Sequence, residues 1–164
     1  MPFPADNRQG MIEPGSAAAP YPETPSADLT PTKVRVLVVE DDADVRQMMG
    51  TALLFEGFNV QTASNGAEGL SSIRRGVPDL ILLDLVLPWV NGIELLAALR
   101  TEPNTEHVPV IVVTGTPAQP HDLRGLGPID IVHKPCDPDQ LLTLIAGVLR
   151  RPRGGSRQVS LAHL

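Results

Sequence analysis

From Lys33 to Arg150, short all-apolar runs alternate with stretches in which apolar residues recur every three or four positions. Val34–Val39 (VRVLVV) is too short for a helix and apolar enough for a strand covered on both faces. Val45, Met48, Met49, Ala52 and Leu53 then fall on one face of a helix. Asp42 or a neighbour caps its start, and Gly57 stands where a left-handed residue would end it. The unit recurs. Asn59–Ala63 reads as a weaker strand, followed by a helix through Ala67, Leu70 and Ile73 that stops near Gly76. Leu80–Leu83 is a strongly apolar strand, followed after the loop 85–91 by a helix from about Gly92 with Ile93, Leu96 and Leu99 on one face. Val110–Val113 and Ile129–Val132 are the last strands, and Asp137 or Pro138 opens a helix through Leu141, Leu144, Ile145 and Val148. Five strands alternating with helices predict an α/β fold, a doubly wound parallel sheet. The segment 115–128, with Pro117, Pro120, Gly125, Gly127 and Pro128, allows at best a short helix over 119–125.

Right-handed crossovers bring the C-terminal ends of all parallel strands to one edge, where open α/β sheets bind ligands. The residues that end the strands are Glu40, Asp41 and Asp42, then Asp84, Thr114 and Lys134. Any one acid there is accounted for as a helix cap. Three carboxylates meeting one lysine and one hydroxyl are not. Carboxylates so close repel unless a cation intervenes. Oxygen donors without His or Cys suit Mg²⁺ better than zinc. A metal-bound carboxylate beside a lysine can accept a phosphoryl group, because both cations offset the charge on the entering oxygens.

Composition narrows the setting. Aromatics are only 3% of the 164 residues, so the core is aliphatic. Seven of the 17 prolines precede Thr32, in a stretch without apolar periodicity, so residues 1–32 read as a disordered Pro/Ala-rich extension. Residues 33–150 hold fifteen acids and nine bases, a net charge of −6 that leaves no broad basic face for a phosphate backbone. Residues 151–164 carry three arginines and no acid, a short Arg-rich tail. The single cysteine, Cys136, excludes an intramolecular disulfide. With no apolar run near ~20 residues and no basic, apolar leader, a cytoplasmic location is expected.

The stretches Val36–Asp42 (VLVVEDD), Asp79–Gly92 (DLILLDLVLPWVNG), Val110–Thr114 (VIVVT) and Lys134–Pro135 together resemble the receiver domain of two-component response regulators. The resemblance covers roughly residues 33–150. It implies a flavodoxin-like sheet order 2-1-3-4-5, carried over from that family. It also implies that Asp84 is the phosphoacceptor, with Thr114 as the switch hydroxyl and Lys134 as the family's lysine. Mg²⁺ would be held by Asp41, Asp84, the backbone carbonyl of Val86 and, through water, Glu40. Lys134–Pro135 matches a step that is commonly cis. Two positions depart from the pattern. Ile131 replaces an aromatic three residues before the lysine, and Gly115 replaces the usual Ala after the hydroxyl.

The expected function is a single-domain response regulator in a phosphorelay. It takes a phosphoryl group on Asp84 from a sensor histidine kinase or phosphotransfer protein and signals by protein contacts. Such a protein is not an enzyme on outside substrates, although it assists its own phosphorylation and slow dephosphorylation. About 14 residues follow the last helix, too few for a DNA-binding output domain, so no direct DNA or membrane binding is expected. Two alternatives stand beside this: a receiver-like adaptor independent of phosphorylation, and a metal-dependent phosphatase. The haloacid-dehalogenase kind of phosphatase needs an acid two residues after its nucleophile, where Val86 stands. Trp89, the only tryptophan, is either a partner contact or a ring folded over its own loop. His133 points away from Lys134 along a strand, and Cys136 reads as a small buried residue more readily than as a reactive thiolate.

Overall fold

The computed structural model describes residues 33–115, 123, 125–127, 129–151 and 160–161. The extension expected over 1–32, the helix allowed over 119–125 apart from Leu123 and Gly125, and most of the tail after Arg151 lie outside the described residues. The chain divides into Met1–Thr32 and Lys33–Leu164, and every described residue belongs to the second unit.

The strands are β1 Arg35–Val39, β2 Asn59–Ala63, β3 Leu80–Leu83, β4 Val110–Thr114, β5 Ile129–His133 and β6 Ser160–Leu161. The helices are α1 Ala43–Phe55, α2 Gly66–Arg75, α3 Gly92–Thr101 and α4 Pro138–Leu149. All strand pairs are parallel, in the order β2-β1-β3-β4-β5-β6. The five-stranded order 2-1-3-4-5 is therefore present. The two-residue β6 extends it, because Ser160 and Leu161 pair with Asp130 and Ile131 of β5 in a stretch expected to be plain tail. Arg151, just beyond α4, is held to the same strand, its Nη1 and Nη2 donating to Asp130 Oδ2 and Oδ1 at 2.6 and 3.1 Å.

The period of two along each strand divides the core. Leu37, Val39, Ile81, Leu83, Val112 and Ile131 face α2 and α3. Val36, Val38, Leu80, Leu82, Ile111 and Val113 face the other way, onto Met49 and Leu53 of α1 and Leu141, Ile145 and Val148 of α4. Burial on both faces explains why β1, β3 and β4 read as unbroken apolar runs.

Helix ends follow their local chemistry. Asp42 caps α1, its Oδ1 accepting from the Asp44 and Val45 N–H groups at 2.9 and 3.0 Å. At the other end Gly57, at φ +86°, donates to Leu54 O and Phe58 donates to Leu53 O. That pair of bonds is a Schellman cap, and only glycine takes its left-handed position without strain.

Two helical faces differ from the periodic reading. Met48 is turned toward solvent, while its neighbour Met49 is in the core. In α2 Ala67 is exposed, and Gly66, Gly69, Ser72 and Ile73 face inward. Small residues let α2 lie close on the sheet, and Ser72 is satisfied there by donating to Gln61 Oε1 at 2.7 Å. Hydropathy spacing sees neither preference. At the far end of α3, Arg100 donates to the carbonyls of Glu106, Val108 and Leu126 at 2.9, 2.9 and 2.6 Å. One side chain thus ties together the loops on either side of β4.

Ile111 is fully buried at the centre of the sheet. Ile111→Ala is expected to lower unfolding stability by about 2–5 kcal/mol, as read from the midpoint shift in urea at an unchanged slope.

Candidate functional site

Three backbone hydrogen bonds carry the ladder one residue past the strands. Glu40 N–H donates to Ala63 O at 3.0 Å, Asp84 N–H to Val39 O at 2.9 Å and Lys134 N–H to Thr114 O at 2.9 Å. Glu40, Asp84 and Lys134 are thereby fixed to the C-terminal edge of the sheet before their side chains make any contact. Lys134 enters the turn before α4 through a cis peptide bond to Pro135.

The side chains converge. Lys134 Nζ lies 2.5 Å from Asp84 Oδ2 and 2.6 Å from Glu40 Oε2. Asp84 Oδ1 accepts from the Val86 N–H at 2.9 Å. Glu40, Asp41 and Asp84 each offer an oxygen within 4.8 Å of the others, with Glu40 and Asp84 buried and Asp41 open to solvent. Thr114 ends β4 fully buried, one residue beyond the level of Asp84 across the β3–β4 pairing. Asp42, in contrast, is spent on its cap and stands outside this cluster.

Burial raises the Glu40 carboxyl above its ordinary range, against the opposing pull of the Lys134 ammonium. Burial also works against the charge on Lys134, but its contacts with Asp84 and Glu40 outweigh that and raise its pKa. The ammonium is therefore firmly charged. Burial raises the Cys136 thiol too, so it is not a thiolate nucleophile. His133 is exposed at the end of β5, and His107 pairs with Glu106 at 3.2 Å, away from the cluster.

Two supports are not visible as motifs. Arg46, on the first turn of α1, donates from Nη1 to the carbonyls of Glu40 and Asp41 at 2.7 and 3.0 Å, fastening the acidic loop from behind. A base on the first turn after an acidic run is the available signal, but it matches any helix with a local charge pair. The second is Gly92. A Cβ there would strike the Asp84 carbonyl oxygen and lie 2.6 Å from Leu85 Cα. Gly92 also donates its N–H to Leu85 O at 3.1 Å, so the loop closes on itself directly behind Asp84.

That loop carries Trp89. Its φ is +64°, and across it the Val90 N–H donates to Pro88 O at 2.9 Å. A hydrogen bond from i+2 to i around a positive φ is the rare form of γ-turn, a strain of about 1–3 kcal/mol in a bulky residue. The ring is not folded over its own loop. It is 86% exposed, and Val86 is 56% exposed.

The arrangement offers a recessed carboxylate with a fixed ammonium beside it and two more carboxylates at one side. Its donor set is all oxygen, as hard divalent cations require. Comparison with known proteins assigns this domain to a known class. Residues 36–146 match the model of the response regulator receiver domain. The chain belongs to that family and carries the receiver domain of a two-component response regulator. It is 36% identical over 121 residues to the phosphate regulon transcriptional regulatory protein PhoB of Rhizobium meliloti, covering 73% of this chain and 53% of that protein. It is 36% identical over 119 residues to the DNA-binding response regulator MtrA of Mycobacterium tuberculosis, covering 71% of this chain and 51% of the relative. The chain thus spans about half the length of the curated relatives it matches. Among solved structures, chemotaxis protein CheY4 of Vibrio cholerae superposes with a TM-score of 0.67 at 28% identity, covering 71% of this chain and 98% of that one. A CheY-like receiver domain protein from Methanospirillum hungatei gives 0.67 at 30% identity over 72% of this chain and 94% of that one. No helix among the described residues is long and apolar enough to cross a membrane.

Gly92→Ala is expected to destabilise the fold by about 1–3 kcal/mol in urea unfolding despite the better helix propensity of alanine. The clash is with backbone, so the Asp84 segment must shift to admit the methyl group.

Proposed function

We propose that Asp84 accepts a phosphoryl group from a phosphohistidine on a sensor kinase or phosphotransfer protein, and that the phosphorylated domain signals through protein contacts in the cytoplasm. The observation that carries this reading is the Lys134 ammonium 2.5 Å from Asp84 Oδ2, at a strand end shared with two further acids. One Asp84 oxygen forms the new P–O bond as the P–N bond to the imidazole breaks, and the leaving imidazole nitrogen is protonated. Lys134 offsets the charge that enters with the phosphoryl oxygens. Thr114 donates its hydroxyl to one of those oxygens.

Asp41, Asp84, the Val86 carbonyl and, through water, Glu40 are the residues that would hold Mg²⁺. When bound it supplies the second positive charge that phosphoryl transfer draws on. Val86 stands two residues after Asp84, where the haloacid-dehalogenase kind of phosphatase needs its second acid, so the chain acts as an acceptor and not as a phosphatase on outside substrates. The relatives named for DNA binding or transcription are about twice as long as the matched region, and residues 33–150 carry a net charge of −6, which disfavours a phosphate backbone.

The second reading, an adaptor that binds without phosphorylation, draws on Ile131. This aliphatic side chain is sealed in the core facing α2 and α3, where the family often has an aromatic ring.

Intact-protein mass after incubation with Mg²⁺ and acetyl phosphate separates the two. A single phosphoryl adduct is expected, absent without Mg²⁺ and absent in Asp84→Ala. Lys134→Ala is expected to slow its formation by about 10²-fold. No adduct on folded wild-type protein that also fails to bind Mg²⁺ favours the adaptor.

Acidity provides an independent check. The raised pKa of Glu40 means that, as pH falls, it takes up its proton earlier than an exposed glutamate. Protonation removes one negative charge from the cation site, so Mg²⁺ affinity in calorimetric titration is expected to weaken on acidification from above the usual glutamate range. Glu40→Gln is expected to bind more weakly at neutral pH and to lose that part of the pH dependence.

A further inference from the structure

We propose that the Trp89 indole is a specificity contact for the protein that donates the phosphoryl group, a step that rests on reading Asp84 as the acceptor. Trp89 is the only residue other than glycine with positive φ among the described residues, and it holds the largest apolar side chain of its loop in water. The strain opposes the folded state, and an indole so exposed buries too little surface to offset it. The loop has no room to relax. Leu85 and Leu87 are buried. Val90 is wedged against the start of α2, where a Cβ on Gly66 would lie 2.8 Å from Val90 Cβ. Asn91 and Glu94 close a capping box on α3, with Glu94 N–H donating to Asn91 Oδ1 at 2.8 Å and Asn91 N–H to Glu94 Oε2 at 3.3 Å. The turn is pinned on both sides with its ring pointing out.

Position says what meets the ring. Asp84 is only 5% exposed. A small acyl phosphate can reach it without touching anything beyond the pocket. A protein that delivers a phosphoryl group from its own side chain must bring its surface down over the loop that follows Asp84, where Val86 and Trp89 are exposed. The other rim of the pocket carries exposed Asp41, Asp42 and Asp44. The donor that fits has an apolar patch beside its phosphohistidine, to cover the indole, and basic side chains toward the acidic rim. Tryptophan is suited to such a role because its large rigid surface loses little conformational freedom on contact, and its face attracts cations.

The test compares two donors on one acceptor: a panel of autophosphorylated histidine kinases, and acetyl phosphate. For the kinase that labels wild type fastest, Trp89→Ala is expected to lower kcat/KM by about tenfold or more, and Trp89→Phe to keep it within about threefold of wild type. Labelling by acetyl phosphate should stay within about twofold in both. Trp89→Gly removes the ring and the strain together. It should unfold at a higher urea concentration than wild type and still lose kinase transfer, which separates the contact from any effect on folding. Kinase transfer at the wild-type rate in Trp89→Ala and Trp89→Gly would overturn the proposal. So would a wild type labelled by acetyl phosphate and by no kinase in the panel. A wild type labelled by neither donor overturns the acceptor reading and takes this inference with it.

Discussion

The Lys134 ammonium lies between two buried carboxylates, and the rest of the site is arranged around that contact. Two unit charges about 5 Å apart repel by about 3 kcal/mol at the effective dielectric of a protein surface. Glu40, Asp41 and Asp84 crowd together more closely than that. They are tolerated because a cation sits 2.5–2.6 Å from two of them and because backbone hydrogen bonds hold the segments that carry them. The ladder bonds at Glu40, Asp84 and Lys134 set the three backbones, and the Arg46 guanidinium holds the acidic loop through its carbonyls. The sheet brings the charges together, and the lysine makes the meeting tolerable.

The same geometry explains what the residues reveal by themselves. The central strands were legible because double-sided burial leaves nothing but Val, Leu and Ile, and the strand-end residues were legible because polarity begins abruptly where the sheet ends. Strand limits agree to within a residue, as at β5, which runs on to His133. Helical faces were read less well. Periodicity cannot separate Met48 from Met49 when both are apolar, and it favoured Ala67 over the smaller residues that actually lie against the sheet. The Gly92 support was hidden for a different reason. Its role is a close approach of one backbone to another, and a glycine in the sequence carries no record of what passes beside it. Asp130 shows the limit most clearly. A lone acid inside an apolar strand gives no sign in the sequence that Arg151, beyond α4, pairs with it.

The loop after β3 is the place where local preference and final structure disagree. Residues close to Trp89 suit their places: Asn91 caps α3, and Gly92 makes the close contact behind Asp84. Only the tryptophan sits where its backbone resists. Natural sequences agree with their folds at nearly all levels, and the exceptions collect at working surfaces. That the exception falls five residues after Asp84, rather than in some remote turn, ties it to the chemistry of the strand ends.

The short β6 has a consequence of another kind. A sheet that ended at β5 would present a row of unsatisfied amides and carbonyls, and such a margin invites pairing with whatever extended chain drifts past, including a second molecule of the same kind. Ser160 and Leu161 occupy that margin at Asp130 and Ile131, and Arg151 is anchored to the same strand by its ion pair. In effect the chain is its own neighbour there. The last two residues of the sheet thus cover part of an edge on which a stranger could otherwise pair.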